Sequence, residues 1–167
     1  MLLGSTVTKD TSTDTDPLVL ELIFQRRYSE AYELLTIEKP ASNASLYNMA
    51  LCFHWSGNFQ EALKALESIQ LAPMVSSGNK FNANNDYQQI RSKQNQTDDY
   101  LQGVSNRYVK HFPALFHDAI VRLKTACWLK LGNYPKVVTT AQPIAHKGYK
   151  NIIDALKLAE IANDKRI

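Results

Sequence analysis

Leu46-Tyr47-Asn48-Met49-Ala50-Leu51-Cys52-Phe53-His54-Trp55-Ser56-Gly57-Asn58-Phe59-Gln60-Glu61-Ala62-Leu63-Lys64-Ala65-Leu66 decides the fold. Leu46, Met49, Ala50 and Phe53 recur at helical spacing, Gly57-Asn58 breaks the pattern, and Phe59, Ala62, Leu63, Leu66 and Ile69 resume it. The stretch therefore reads as two antiparallel helices joined by a tight glycine turn. Small residues, Ala50 and Ala62, let the two backbones approach, while Phe53, Phe59 and Leu66 fill the space on either side. Gly57 supplies the left-handed conformation that ends the first helix.

The motif returns once. Cys52-Phe53 followed by Gly57-Asn58-Phe59 is echoed by Cys127-Trp128 followed by Gly132-Asn133-Tyr134, with the same spacing. One hairpin cannot bury its apolar face alone, so self-similarity of this kind predicts stacked helical hairpins. Outward from the central hairpin, Asp16 and Pro17 predict a helix start, with short helices over 18–24 and 28–35, the second closed by Lys39-Pro40. Beyond Ala72-Pro73 the chain turns polar, with a short helix expected around Tyr87 and Ile90. Thr97-Asp98-Asp99 is read as the cap of a helix carrying Tyr100, Leu101, Val104, Tyr108 and Val109 as far as Pro113. Helices over 115–131, 136–145 and 149–163 complete the chain, the last as a C-terminal capping helix. Residues 1–15 read as a disordered polar leader and 16–167 as a single helical domain. No segment alternates with a two-residue period, so the expected class is all-α.

Leu46-x-x-Met49-Ala50-x-x-Phe53-x-x-x-Gly57-x-Phe59-x-x-Ala62-x-x-x-Leu66 resembles a tetratricopeptide repeat, with Pro73 near the position where that family often has proline. Arg27-Tyr28-Ser29-Glu30-Ala31, with Leu35, resembles the second helix of a preceding repeat. Trp128, Gly132 and Tyr134 resemble a degenerate later one, in which Thr125 holds the small position and Val137 replaces alanine. Gly57 and Gly132 lie 75 residues apart, more than two periods of roughly 34. The segment 76–112 is thus either a diverged repeat or an insertion. The resemblance implies a short superhelix whose concave groove is lined by the first helix of each hairpin and takes a peptide or a helix. Carried over, that face comprises Tyr47, Leu51, His54 and Trp55, then Arg122, Ala126, Leu129 and Lys130, with Leu20, Ile23 and Phe24 from the shorter first hairpin. Trp55 is the favoured anchor, since tryptophan is enriched at binding hot spots. Some members grip a C-terminal carboxylate. Asn48 matches one such position, but Asp16, Ala119 and Leu123 stand where the basic residues would be needed, so that mode is not expected.

Composition excludes more than it selects. There is no phosphate loop, no metal-ligand spacing and no nucleophile motif, and Asp98-Asp99 at a helix start reads as capping. No enzyme activity, cofactor or metal is expected, and Cys52 and Cys127 read as buried, reduced thiols. No secretion signal or membrane span is seen, which places the chain in the cytoplasm without a membrane role. The net charge of +3 divides into −4 over residues 1–75 and +7 over 76–167. In the basic half Lys80, Arg91, Lys93, Arg107 and Lys110 interleave with Phe81, Tyr87, Tyr100 and Tyr108, a mixture that can also neutralise phosphates and stack bases. The leading expectation is a non-catalytic protein-interaction module: an adaptor, an assembly factor or a small chaperone. Nucleic-acid binding and a fixed subunit role are the alternatives. Partner, pathway and oligomeric state stay open.

Overall fold

The computed structural model describes residues 16–73 and 84–166, and among these the chain is all-helical. The helices are α1 (Asp16–Phe24), α2 (Tyr28–Ile37), α3 (Asn43–Trp55), α4 (Phe59–Glu67), α5 (Asn85–Gln94), α6 (Asn106–His111), α7 (Pro113–Lys130), α8 (Tyr134–Ala141) and α9 (Lys150–Asp164). Short 3-10 turns cover Asp99–Leu101 and Gln142–Lys147. The leader expected over 1–15, and Lys80 and Phe81 of the middle segment, lie outside the described residues.

One turn chemistry is used three times. At the end of α3 the Gly57 N–H donates to the His54 carbonyl (3.1 Å) and the Asn58 N–H to that of Phe53 (2.9 Å). Gly57 supplies the positive φ of 81°, and the Asn58 side chain then caps α4 through the Glu61 N–H. Gly132 and Asn133 repeat each step between α7 and α8, down to the Asn133 cap on the Lys136 N–H. No atom crowds the Cβ position of either glycine, so φ alone selects the residue type. The third copy joins α1 to α2. Arg26 donates to Ile23 (3.0 Å) and Arg27 to Leu22 (2.8 Å), with Arg26 in the left-handed region at φ 61°. An arginine stands where the other two turns have glycine.

These turns make the hairpins α1/α2, α3/α4 and α7/α8, and α9 packs on α7 and α8. Ala50 and Ala62 are fully buried in the α3/α4 pair. α4 packs directly along α7, although α5 and α6 intervene in sequence. One apolar core runs through α1–α4 into α7, with smaller clusters beneath α8 and α9.

A self-filled groove with an exposed aromatic rim

The intervening chain decides what the groove can do. The helix expected over 98–112 is not continuous: a 3-10 turn at Asp99–Leu101 gives way to extended chain at Gln102 (φ −89°, ψ 150°), and α6 begins only at Asn106. The break lets residues 99–105 lie as a strap across the inner face of α3. Asn48, fully buried, holds it with both ends of its amide. Its Nδ2 donates to the Val104 carbonyl and its Oδ1 accepts the Val104 N–H, each at 2.8 Å. Gly103 is needed for closeness here: an added Cβ would stand 2.7 Å from Leu20 Cδ2 and 3.3 Å from Ile23 Cδ1. The Tyr47 hydroxyl donates to the Tyr100 carbonyl, and its ring meets Phe116 edge-on at 5.5 Å.

Three of the residues expected to face a partner are therefore committed inside the fold. Tyr47 and Leu51 are buried beneath the strap, and burial holds the Tyr47 phenol well above its usual range. Arg122 is 2% exposed. Its guanidinium lies between the rings of Tyr100 (4.6 Å) and Tyr149 (4.5 Å) and donates to Asp99 Oδ1 (2.5 Å), the Thr97 carbonyl (2.8 Å) and Asn151 Oδ1 (2.8 Å). On this face Tyr47 and Arg122 are covered by the chain's own residues 97–104. Asp99, expected as a cap, is the counter-charge of Arg122 instead, and Asp98 makes no side-chain cap bond.

Both ends of the strap are tied down. On one side Asn95 donates its Nδ2 to the Lys147 carbonyl (3.1 Å) and offers its own carbonyl to the Lys150 N–H (2.9 Å). Close by, buried Asp118 accepts from Lys147 Nζ (2.9 Å) and from the Tyr149 hydroxyl (2.6 Å). On the other side the Asp16 carboxylate accepts from both the Asn106 N–H (2.9 Å) and its side-chain amide (3.0 Å). Buried polar groups partnered at several points favour one arrangement over its neighbours, because any displacement strands several of them at once; the Asn95 Oδ1 alone among these ties lacks a partner.

The rim remains open. Trp55 is 61% exposed and stacks on Tyr28 at 4.8 Å, and Phe24 at the end of α1 is 82% exposed. Trp55, Tyr28 and Leu101 form a wall shared by two hollows. The larger, about 670 Å³, is bounded by Phe24, Arg26 and Asp98, and the smaller, about 320 Å³, by His54, Phe59 and Lys130. His54 is half-buried, its ring edge-on to Phe59 at 5.4 Å, and its Nε2 lacks a partner. Burial, then the nearby Lys130 ammonium, lowers its pKa below the usual imidazole value. Of the expected contact residues, then, His54, Trp55 and Lys130 gather around one hollow with Leu51 at its base, and Tyr47 and Arg122 do not join them. Phe24 from the first hairpin lines the other hollow, across the shared Trp55 wall, with Ile23 buried beside it. Leu101 and Arg26 were not expected; an apolar residue three positions after the Asp98-Asp99 break and the arginine in a glycine's place were the signals available.

Little else in the described residues has reactive geometry. No cluster of His, Cys, Asp or Glu there could hold a metal. Cys52 and Cys127 are free and buried, with burial pushing their thiols up to about 11 and about 12, so both are neutral and unreactive near neutral pH. No described helix is long and apolar enough to cross a membrane. For nucleic acid, Arg107 and Lys110 are exposed on α6, but Tyr100 is buried and Tyr108 half-buried, which removes two of the rings proposed to stack bases. Comparison with family models, with curated proteins and with solved structures returns no match.

Proposed function

We propose that this chain is a non-catalytic protein-interaction module, a tetratricopeptide-like array that takes its partner on the rim of a groove its own strap has filled. The observation that carries the reading is the pairing of Phe24 and Trp55, the two most exposed aromatics among the described residues, beside neighbouring hollows that share the Trp55 wall. Exposed aromatics next to concave apolar surface are the usual anchors of protein recognition. Arg26 and Lys130 border the hollows against one carboxylate, Asp98. That balance favours a short partner segment with apolar anchors and acidic flanks. The buried free thiols of Cys52 and Cys127 support a reducing, cytoplasmic setting.

Selection from a displayed library of random short peptides tests the reading. The expected result is enrichment of acidic sequences with aromatic or leucine anchors, abolished by Phe24→Ala/Trp55→Ala while the melting temperature stays close to that of the parent. Enrichment that survives the double substitution, or that favours basic sequences, refutes it.

A further inference from the structure

α5 is held unlike its neighbours. None of its residues is buried and Ile90 stands 65% exposed, yet Arg91 turns inward. The Arg91 Nε is sealed from solvent and has no hydrogen-bond partner, and Nη2 reaches only Gln94 Oε1 at 3.4 Å. No carboxylate among the described residues pairs with it. Sealing an N–H donor from solvent without an acceptor is costly, and such a group in a folded protein calls for an explanation.

Arg91 lines a cavity of about 270 Å³ between α1, α3, the strap and α7. Leu20, Val104 and Leu115 give that cavity an apolar side, and Ser105 and Tyr108 bring hydroxyls to it. The second guanidinium on its wall, Arg122, is already neutralised by Asp99 at 2.5 Å. The nearby Asp118 is taken by Lys147 at 2.9 Å. One positive charge is thus left over, and it belongs to a residue whose Nε and Nη edge can offer two parallel N–H donors.

We propose that this cavity binds a small organic monocarboxylate, its carboxylate on the Nε/Nη edge of Arg91 and its apolar body against Leu20, Val104 and Leu115. The unmatched charge is single, which selects a monoanion; the apolar side selects an organic acid over an inorganic ion. α5 is anchored at its end through Asn95 but buries none of its own side chains, so rotation of the Arg91 side chain brings its Nε edge to a ligand without opening the core. The cavity shares Leu20 and Gly103 with the larger rim hollow but contains neither Phe24 nor Trp55, and the rim hollow does not contain Arg91, so substitutions at those three residues tell the two readings apart.

The test follows the arginine Nε–H resonances of the 15N-labelled full chain during titration with sodium benzoate, sodium hexanoate, benzamide and inorganic phosphate. A saturating shift of the Arg91 resonance with either carboxylate, absent with benzamide, is the expected result. Arg91→Gln should abolish saturable binding while leaving the melting temperature near that of the parent. Arg91→Lys, which keeps the charge and loses the fork, should weaken binding about tenfold. Failure of both carboxylates to shift Arg91 at millimolar concentration overturns the proposal. So does equal binding of benzamide or phosphate, or carboxylate binding undiminished in Arg91→Gln.

Discussion

Asn48→Ala is the sharpest perturbation of the self-filled groove. The side chain is fully buried and its amide is the partner of both polar groups of Val104, at 2.8 Å each. Alanine strands a buried N–H and a buried carbonyl together, each costing about 1–3 kcal/mol when left unmet. Some relaxation or water entry returns part of this, so a loss of about 2–4 kcal/mol is expected. Set against a typical domain stability of about 5–15 kcal/mol, the variant still folds. Urea denaturation gives the global loss, and amide exchange at Val104 reports the strap directly. Its protection should fall by roughly 30-fold to 1,000-fold, at about 1.4 kcal/mol per decade. Asn48→Asp separates the two bonds. A carboxylate accepts the Val104 N–H but opposes the Val104 carbonyl, so its folded-state pKa is raised above the ordinary value of about 3.9. Folding then favours the protonated form, which can donate to that carbonyl. The deficit of Asn48→Asp relative to the parent should therefore shrink as pH falls, and grow as pH rises through the raised pKa. An Asn48→Ala loss below about 1 kcal/mol, with Val104 exchange unchanged, would refute the idea that this amide holds the strap.

Three further outcomes are expected. Ala62→Leu inserts a large side chain where alanine is fully buried between α3 and α4, and should cost about 1–3 kcal/mol by thermal or urea unfolding; an unchanged midpoint contradicts the close crossing. Arg26→Gly removes a non-glycine residue from φ 61°, and should raise stability by up to about 1 kcal/mol once the glycine's entropy is offset; a loss of stability would show that the Arg26 side chain contributes more than its strained backbone costs. His54 has its pKa lowered by burial and by Lys130, so below about 6.5 the unfolded chain binds a proton before the folded one does. Its contribution is complete above that pH and is lost as pH falls toward the folded value, so the midpoint of the parent should drop more steeply between neutral and mildly acidic pH than that of His54→Gln; parallel slopes exclude His54 as the source.

What was legible in the sequence follows the range over which each determinant acts. The Gly57-Asn58 and Gly132-Asn133 turns are local, since a left-handed residue stops one helix and an Asx side chain starts the next. Both hairpins could be read from them. The α1/α2 turn uses the same hydrogen bonds but carries Arg26 where the other two carry glycine, so its helices were read from the Asp16-Pro17 start and from Arg27 to Leu35, not from the turn itself. The strap failed for the opposite reason. Tyr100, Leu101, Val104, Tyr108 and Val109 do fall at helical spacing, yet Val104 finds its partners in Asn48, 56 residues away, and Gly103 lets the backbone pass between α1 and α3. Tertiary pairing overrode local periodicity. Arg122 is a further case of long-range pairing: its partners Asp99, Thr97 and Asn151 lie 23 to 29 residues away and are not visible in the local pattern of α7.

The occupied groove changes what a partner has to do. A peptide arriving in trans would have to displace a segment tethered at both ends, whose effective concentration is in the millimolar range for short connections. It would also have to release the Arg122 guanidinium from Asp99 and from the two tyrosine rings that enclose it. Breaking a buried pair by removing one partner typically costs about 3–5 kcal/mol, far more than keeping it contributes. The floor of the groove is thus closed to a peptide that cannot replace both the Asn48 bonds and the Asp99 charge. On the proposed reading, a partner is left the surfaces that the strap helps to shape without covering. Leu101, carried by the strap, stands in the same wall as Trp55 and Tyr28. A substitution that loosens the strap therefore acts on the rim as well, and Asn48→Ala should weaken peptide capture even though Asn48 itself lies out of any partner's reach.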